Sequence, residues 1–403
     1  MSAALLFPPS ATPDARRLVA ARGLRGFADG LVSVLLASHL AAIGLSAVQV
    51  GAVVTATLLG SAALTLAVGF GGRRVPERSV LLAASLLMFA TGLAFAGVAA
   101  LPLLLLVAFV GTLNPSGGDV SVFLPTEQSL LAANVGAADR TALLARYNLA
   151  GTLLGALGAL ATGVPLLVAA EGDPQPRPFL LYGAVAIGIG ALYLGLRSGR
   201  AARASEAGSG RLVEARSAVL RLTALFSLDS LGGGFVVDSL VALWLFRRFD
   251  LSLETVGAVF FGARLLSAFS QLVSARLAAR IGLVRTMVYT HLPANLFLIA
   301  AAFMPTAGTA IAMLLARMAL SQMDVPARQS YVIAVTPPAE RAAAVSVTNV
   351  PRSLASALPP IAAGALLEAS DFGWPLVIGG ALKIAYDLLL LAQFRSVVPE
   401  EER

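Results

Sequence analysis

The stretch Leu45-Ser46-Ala47-Val48-Gln49-Val50-Gly51-Ala52-Val53 returns 206 residues later as Leu251-Ser252-Leu253-Glu254-Thr255-Val256-Gly257-Ala258-Val259, with Leu-Ser and Val-Gly-Ala-Val in register. A second phrase pairs Pro125-Thr126-Glu127-Gln128-Ser129 with Pro326-Ala327-Arg328-Gln329-Ser330 at an offset of 201. Asp139-Arg140 and Asn148 return as Glu340-Arg341 and Asn349 at that same offset. Both offsets are close to half of 403, so the chain reads as one unit written twice, the second copy slightly shorter. In an apolar chain, two related halves predict two membrane bundles that face each other, with function in the cleft between them.

Composition supports the membrane assignment independently. Hydrophobic residues make up 58% and charged residues 13% of the chain, and the mean hydropathy is +0.84. Many apolar runs reach the ~20 residues that cross a bilayer. Only helices or closed barrels satisfy the backbone in lipid, and these runs lack the alternation of barrel strands, so the expected fold is all-α. The absence of cysteine excludes disulfides and thiolate metal sites. No basic segment precedes the apolar N-terminal residues, and Pro8, Pro9 and Pro13 follow closely, so a cleaved signal peptide is not expected.

Twelve spans are predicted, near 20–42, 46–69, 79–98, 102–132, 142–168 and 178–197, then 217–246, 251–275, 283–304, 307–335, 343–368 and 373–395. This divides the chain into an N-terminal six-helix bundle over 1–197, a polar inter-bundle loop over 198–216 and a C-terminal six-helix bundle over 217–403. With twelve spans both termini lie on one side, where nineteen arginines are counted, Arg25 among them. The other side has only Arg177, Arg247 and Arg248. The excess places both termini in the cytoplasm and the chain in the cytoplasmic (inner) membrane. It also accounts for the formal charge of +7 through orientation and contact with anionic lipid, with no nucleic-acid partner.

The loops after spans 2 and 8 carry a further echo. The first reads Gly69-Phe70-Gly71-Gly72-Arg73-Arg74-Val75-Pro76-Glu77-Arg78 and the second Ala275-Arg276-Leu277-Ala278-Ala279-Arg280-Ile281-Gly282-Leu283-Val284. Their position resembles the signature loop of the major facilitator superfamily of secondary transporters, Gly-X-X-X-Asp-Arg-X-Gly-Arg-Arg. Arg73 and Ala279 stand where the aspartate is usual, and Pro76 where a glycine is. The resemblance implies two pseudo-symmetric six-helix bundles in one monomeric chain, and transport of a small molecule. It also implies a bracing role for Arg74, Arg78 and Arg280 at the cytoplasmic closure. Family antiporters carry a Gly-Pro pair in helix 5, whereas this chain has Gly151, Gly155, Gly158 and a split Gly163-Val164-Pro165. Those glycines are read first as a close-packing face, and second as an antiporter motif.

Ionisable groups at membrane depth cost at least about 2.5–3.5 kcal/mol each, so they are expected to face a cavity or a partner. Asp29, Asp119, Asp229, Arg264, Arg317 and Asp324 fall near span midpoints and are the candidate substrate-binding or proton-coupling residues. Arginine stays protonated, while a carboxylate responds to burial and to nearby cations, so such a set can hold a proton in one state and release it in another. The alternative is that each aspartate pairs with an arginine and locks helices together. Arg317, Ser321, Asp324 and Arg328 fall on one face of a continuous span 10, and Asp119, Phe123 and Glu127 form the related stripe on span 4. The resemblance puts spans 1, 4, 7 and 10 around the central cavity. Glu127 and Arg328 occupy the same repeat position with opposite charge, which predicts a cytoplasmic gate that latches the bundles. The competing reading pairs Arg328 with Asp324 on its own helix.

Gly232-Gly233-Gly234 predicts a hinge, an unwound segment or close packing in span 7. His39 and His291, the only histidines, are read as proton relays or as hydrogen-bonded structure. Lys383, the only lysine, shares span 12 with Tyr386 and Asp387, and is expected in a local ion pair or reaching the headgroups. The sequence has no Walker loop, metal-ligand cluster or nucleophile motif, so an enzyme, a primary pump and a resident cofactor or metal are not expected. The combined expectation is proton-coupled export of a small solute. The alternatives are an organic or inorganic anion bound by Arg264 and Arg317, and a membrane receptor or enzyme.

Overall fold

The computed structural model describes residues 7–71, 75–116, 121–136, 139–164, 167, 173–197, 215–337 and 340–394, and these form an all-helical protein. The first helix shows how local chemistry sets the boundaries. The Thr12 hydroxyl accepts from the Ala15 N–H, Pro13 takes the first helical position and Asp14 follows, so α1 runs from Pro13–Ala42, starting seven residues before the predicted 20. A capping signal sets that start, and hydropathy alone does not register it.

The repeated Leu-Ser phrase is a helix restart. Gly44, at φ +91°, turns the chain out of α1, and Asp250, at φ +50°, does so in the second copy. Ser46 and Gln49 then exchange backbone-to-side-chain hydrogen bonds, as in a capping box, to open α2 (Ala47–Gly71). Ser252 accepts from the Thr255 N–H to open the second copy, Leu253–Ile281.

The chain divides into two compact units, Met1–Ser205 with Ser252–Phe261, and Glu206–Leu251 with Gly262–Arg403. In the first, α1 and α2 are followed by α3 (Glu77–Gly97), α4 (Leu101–Val110), α5 (Phe123–Ala133), α6 (Arg140–Leu160) with a 3-10 turn at Ala161–Gly163, and α7 (Pro176–Leu194). Helix α1 packs on α6 and α7, α3 on α7, and α2 on α4. The Ser252–Phe261 segment belongs here because Thr162 Oγ1 donates to the Leu253 carbonyl at 3.2 Å.

The second unit holds α8 (Arg216–Gly234), α9 (Asp238–Phe249), most of α10 (Leu253–Ile281), α11 (Leu283–Phe303), α12 (Ala307–Ser321), α13 (Asp324–Ala334), α14 (Arg341–Ala357), α15 (Pro359–Ala369) and α16 (Trp374–Phe394). Its packing repeats that of the first: the opening helix α8 lies on α14 and α16, and α11 on α16. The duplication read from the sequence is therefore a duplication of helix pairing.

Among the described residues ten helices, counting α8 with α9 and the α14–α15 segment as one each, are long and apolar enough to cross a membrane. Spans 4 and 10 complete the twelve, and both are interrupted. This corrects the expectation of continuous helices over 102–132 and 307–335. Span 4 breaks after Val110, where Asn114 accepts from the Ser116 N–H in an Asx turn. Span 10 breaks at Gln322–Met323. The polar stripe expected on span 10 is thereby divided, with Arg317 and Ser321 on α12, and Asp324 and Arg328 on α13. Span 7 breaks after Gly234 and resumes at Asp238.

Candidate functional site

Helices of the second unit converge on a buried carboxylate. Asp229 of α8 receives the Lys383 Nζ of α16 at 2.6 Å and an Arg328 guanidinium nitrogen of α13 at 3.0 Å. His291 of α11 turns its Nε2 toward the same carboxylate at 3.7 Å, while its Nδ1 lies 2.9 Å from Asp387 of α16. Asn295, one turn along α11, donates to the other Asp387 oxygen at 3.1 Å. Asp324 closes the group, 3.3 Å from Arg328 on the same helix. Arg352 of α14 stands beside it and donates to Ser230 Oγ at 3.2 Å.

The direct contacts thus join three carboxylates, a lysine, an arginine and one imidazole. All six residues are buried. Isolated charges at this depth are expensive, and only mutual pairing makes the set tolerable. Local sequence explains the room for it. Gly232 and Gly233 face the Lys383 stem, and a Cβ at Gly232 would meet the Gly379 carbonyl and Lys383 Cγ. The glycine run therefore serves two purposes: it ends α8 and it admits the lysine.

The first unit carries the counterpart with reversed signs. Arg25 of α1 contacts Glu127 of α5 at 2.8 Å, and Tyr147 of α6 and Tyr193 of α7 donate their hydroxyls to the Glu127 oxygens. Each arginine also lies over a phenyl ring on the helix that bears its carboxylate. Arg25 is 4.7 Å from the Phe123 centroid, and Arg328 5.6 Å from that of Phe226. Glu127 is fully buried, and its partners are all in its own unit.

Glu127 and Arg328, the two residues expected to latch the bundles, are each engaged inside their own unit, and Arg328 takes Asp324, the partner given by the competing reading, as well as Asp229. Two further side chains sit deeper than expected. Arg25, counted among interfacial arginines, is 1% exposed inside the first unit. Lys383, expected to pair locally or reach the headgroups, instead reaches across to Asp229.

The remaining candidates separate. Asp29 accepts from Asn114 Nδ2 at 3.4 Å in the first unit. Arg264 of α10 pairs with Asp238 of α9 at 2.8 Å. Arg317 lies near enough to act electrostatically on Asp238, but its one hydrogen-bond contact among the described residues is to Met318 Sδ at 3.5 Å. Asp119 and Arg74 lie outside the described residues. Arg78 donates to the Leu194 carbonyl at 2.6 Å, satisfying the end of α7, and Arg280 is exposed in the last turn of α10. The glycines of span 5 form a packing face: a Cβ on Gly26 or Gly30 of α1 would collide with Gly151 or Gly155 of α6.

Asp238, Asn295, Tyr147 and Tyr193 are not among the residues the sequence singles out, while His291 is read there as a relay or as structure and Asp387 only as a neighbour of Lys383. The readable signal was spacing: His291 with Asn295 and Lys383 with Asp387 are i, i+4 polar pairs on apolar spans. His39 differs from His291. It takes the Phe95 carbonyl at Nε2 at 3.0 Å and accepts the Gln175 N–H at Nδ1 at 2.9 Å, a pattern that fits one neutral tautomer.

Comparison with known proteins agrees with this fold. An uncharacterized membrane protein of Saccharomyces cerevisiae is 26% identical over 429 residues, spanning 96% of this chain and 95% of that protein. The solved structure of the nucleoside transporter NupG superposes with a TM-score of 0.74 at 13% identity, over 95% of this chain and 100% of that one. A D-xylose–proton symporter superposes with a TM-score of 0.74 at 14% identity, over 96% of this chain and 99% of the other. Residues 18–322 match the profile of the Major Facilitator Superfamily, and with that match over most of the length and the paired helix packing of its two units, the chain belongs to the major facilitator superfamily of membrane transporters.

Proposed function

We propose that this transporter moves a small solute by alternating access between its two bundles, coupled to protons and in the direction of export. It works as a monomer in the cytoplasmic membrane with both termini in the cytoplasm. The observation that carries the coupling is the cluster around Asp229, where three carboxylates meet a lysine, an arginine and a histidine out of water. A group so composed changes its internal pairing when a proton is gained or lost, and helices α8, α11, α13 and α16 are tied to that pairing. The D-xylose–proton symporter that shares the fold couples to protons, by its name, as a symporter. The export direction rests on the chain's own carboxylates.

The test is a compound panel screened for accumulation in proteoliposomes under an imposed pH gradient, followed by Asp29→Asn, Asp229→Asn and Asp324→Asn. Asp229→Asn is expected to abolish gradient-driven flux. Retention of flux by all three variants would overturn the coupling.

Arg317 favours a second reading, an anionic solute. It is a guanidinium in mid-span with no carboxylate within salt-bridge distance among the described residues. Loss of binding of anionic compounds in Arg317→Ala or Arg264→Ala, with neutral and cationic compounds unaffected, would select it.

A further inference from the structure

We infer that His291, held between Asp387 and Asp229, is the group that carries the coupled proton, and that gain and loss of this proton moves Lys383 between the two carboxylates. This rests on the coupling reading above and locates it outside the aspartates of spans 1 and 10.

The case starts from hydrogen-bond chemistry. A neutral imidazole has one N–H and one lone pair, so its two nitrogens suit one acceptor and one donor. His39 has that environment, a carbonyl on one side and a backbone N–H on the other. At His291 both nitrogens face carboxylates: Nδ1 lies 2.9 Å from Asp387, with the Asn295 amide nitrogen also 3.2 Å away, and Nε2 turns to Asp229 at 3.7 Å, beyond hydrogen-bond distance. Only the imidazolium places an N–H toward each carboxylate. A neutral ring with its lone pair at Nδ1 takes the Asn295 N–H there and leaves Asp387 without a cation at that nitrogen.

The groups that face this ring come from every helix around it. Asp387, Lys383 and the Tyr386 ring belong to α16, Asp229 to α8, and Asp324 and Arg328 to α13. On α11 itself Asn295 is the polar neighbour. Arg317 of α12 and Arg352 of α14 act on the same carboxylates from farther out.

With the proton bound, Asp387 is held by imidazolium and Asn295, and Lys383 is free to hold Asp229. When the proton leaves for water, the ring keeps one N–H and Asp387 loses its cation. Lys383 lies one helical turn before Asp387, the i, i+4 spacing at which a lysine reaches a carboxylate. It moves to Asp387, and Asp229 keeps only Arg328. The α8–α16 contact, built on the close approach of Gly232 to Gly379, loses its ionic tie. One proton thereby changes the grip of the opening helix of this unit on its last.

The chain has two histidines, so histidine labelled with 15N and 13C in the ring reports both sites in the full-length protein in nanodiscs. His39→Gln leaves the His291 signal alone for assignment. His39 is expected as a neutral Nε2–H tautomer at every pH. His291 is expected as imidazolium at acid pH, converting to a singly protonated ring as pH rises, and Asp387→Asn is expected to deplete the imidazolium at a fixed pH. His291→Gln is expected to abolish gradient-driven accumulation while the His39 signal, as a check on folding, stays unchanged. A His291 that remains neutral from acid to alkaline pH, in a protein whose transport is gradient-driven, overturns the assignment of His291 alone. Wild-type protein without gradient-driven transport overturns the coupling reading and the role of His291 together.

Discussion

Glu127 pairs with Arg25 and accepts from Tyr147 and Tyr193, one hydroxyl at each oxygen, so a fully buried carboxylate is satisfied. Replacing it with glutamine removes the carboxylate charge that faces the Arg25 guanidinium in the interior. Loss of one partner of a buried pair costs about 3–5 kcal/mol, so Glu127→Gln should lower the thermal unfolding midpoint in detergent far more than Tyr193→Phe. The latter deletes a single hydrogen bond to a charged group, worth about 1.5–3 kcal/mol. Equal midpoints for the two variants would show that the carboxylate is not the centre of the cluster. Asp229, Asp324 and Arg328 were visible as candidates because a charge in an apolar run stands out. Of their partners, His291 reads from sequence as a relay or as hydrogen-bonded structure and Lys383 as paired locally or reaching the headgroups, since the rotation of a helix about its axis follows from packing.

Helices in this chain meet through glycine. On α1, Gly26 and Gly30 face Gly151 and Gly155 of α6, and in the second unit Gly232 faces Gly379. At these contacts one backbone lies where a side chain would otherwise be. Gly232→Ala should cost about 1–3 kcal/mol through overpacking, and should also displace the Lys383 stem. Gly190→Ala, where the nearest atom is the Ser85 Cβ at 3.7 Å, should be nearly neutral and serves as the control in the same unfolding measurement. The breaks in spans 4, 7 and 10 belong to this scale as well. Asn114-Pro115-Ser116 and the run Gly232 to Gly234 were legible as turn and hinge chemistry, and the sequence reading used only the second. The break at Gln322–Met323 carries a local mark of its own: Pro326 has no N–H to offer the Gln322 carbonyl four residues earlier and its ring crowds that carbonyl, so the helix ends and restarts there.

The two units repeat one ion pair with its signs exchanged. The opening helix supplies Arg25 in one and Asp229 in the other, and the fourth and tenth spans answer with Glu127 and Arg328. Exchange within a unit, Arg25→Glu with Glu127→Arg, keeps the pair and should recover much of the stability lost in either single variant. Exchange between units, Glu127→Arg with Arg328→Glu, breaks both pairs and should recover none. Thermal unfolding of the six proteins separates these outcomes, and rescue by the second exchange would restore the latch between bundles. The absence of cysteine allows a second measurement on the whole chain. A single cysteine placed at Ser10 should resist a membrane-impermeant maleimide in intact cells and react once the membrane is opened, as cytoplasmic termini require. Labelling of intact cells would reverse the orientation.

By itself the sequence determined the membrane class, the number of spans, the duplication and the family. Each of these follows from hydropathy summed over about 20 residues or from phrases repeated at a fixed offset, and both are one-dimensional quantities. Tertiary structure decided which charges meet. A charge at bilayer depth must find a partner, but whether Arg328 finds Asp229, Asp324 or Glu127 depends on helix rotation, on where a span breaks and on which glycines let backbones close. Those are properties of packing in three dimensions, shared among residues far apart in the chain, as Asp229 and Lys383 are at 154 positions.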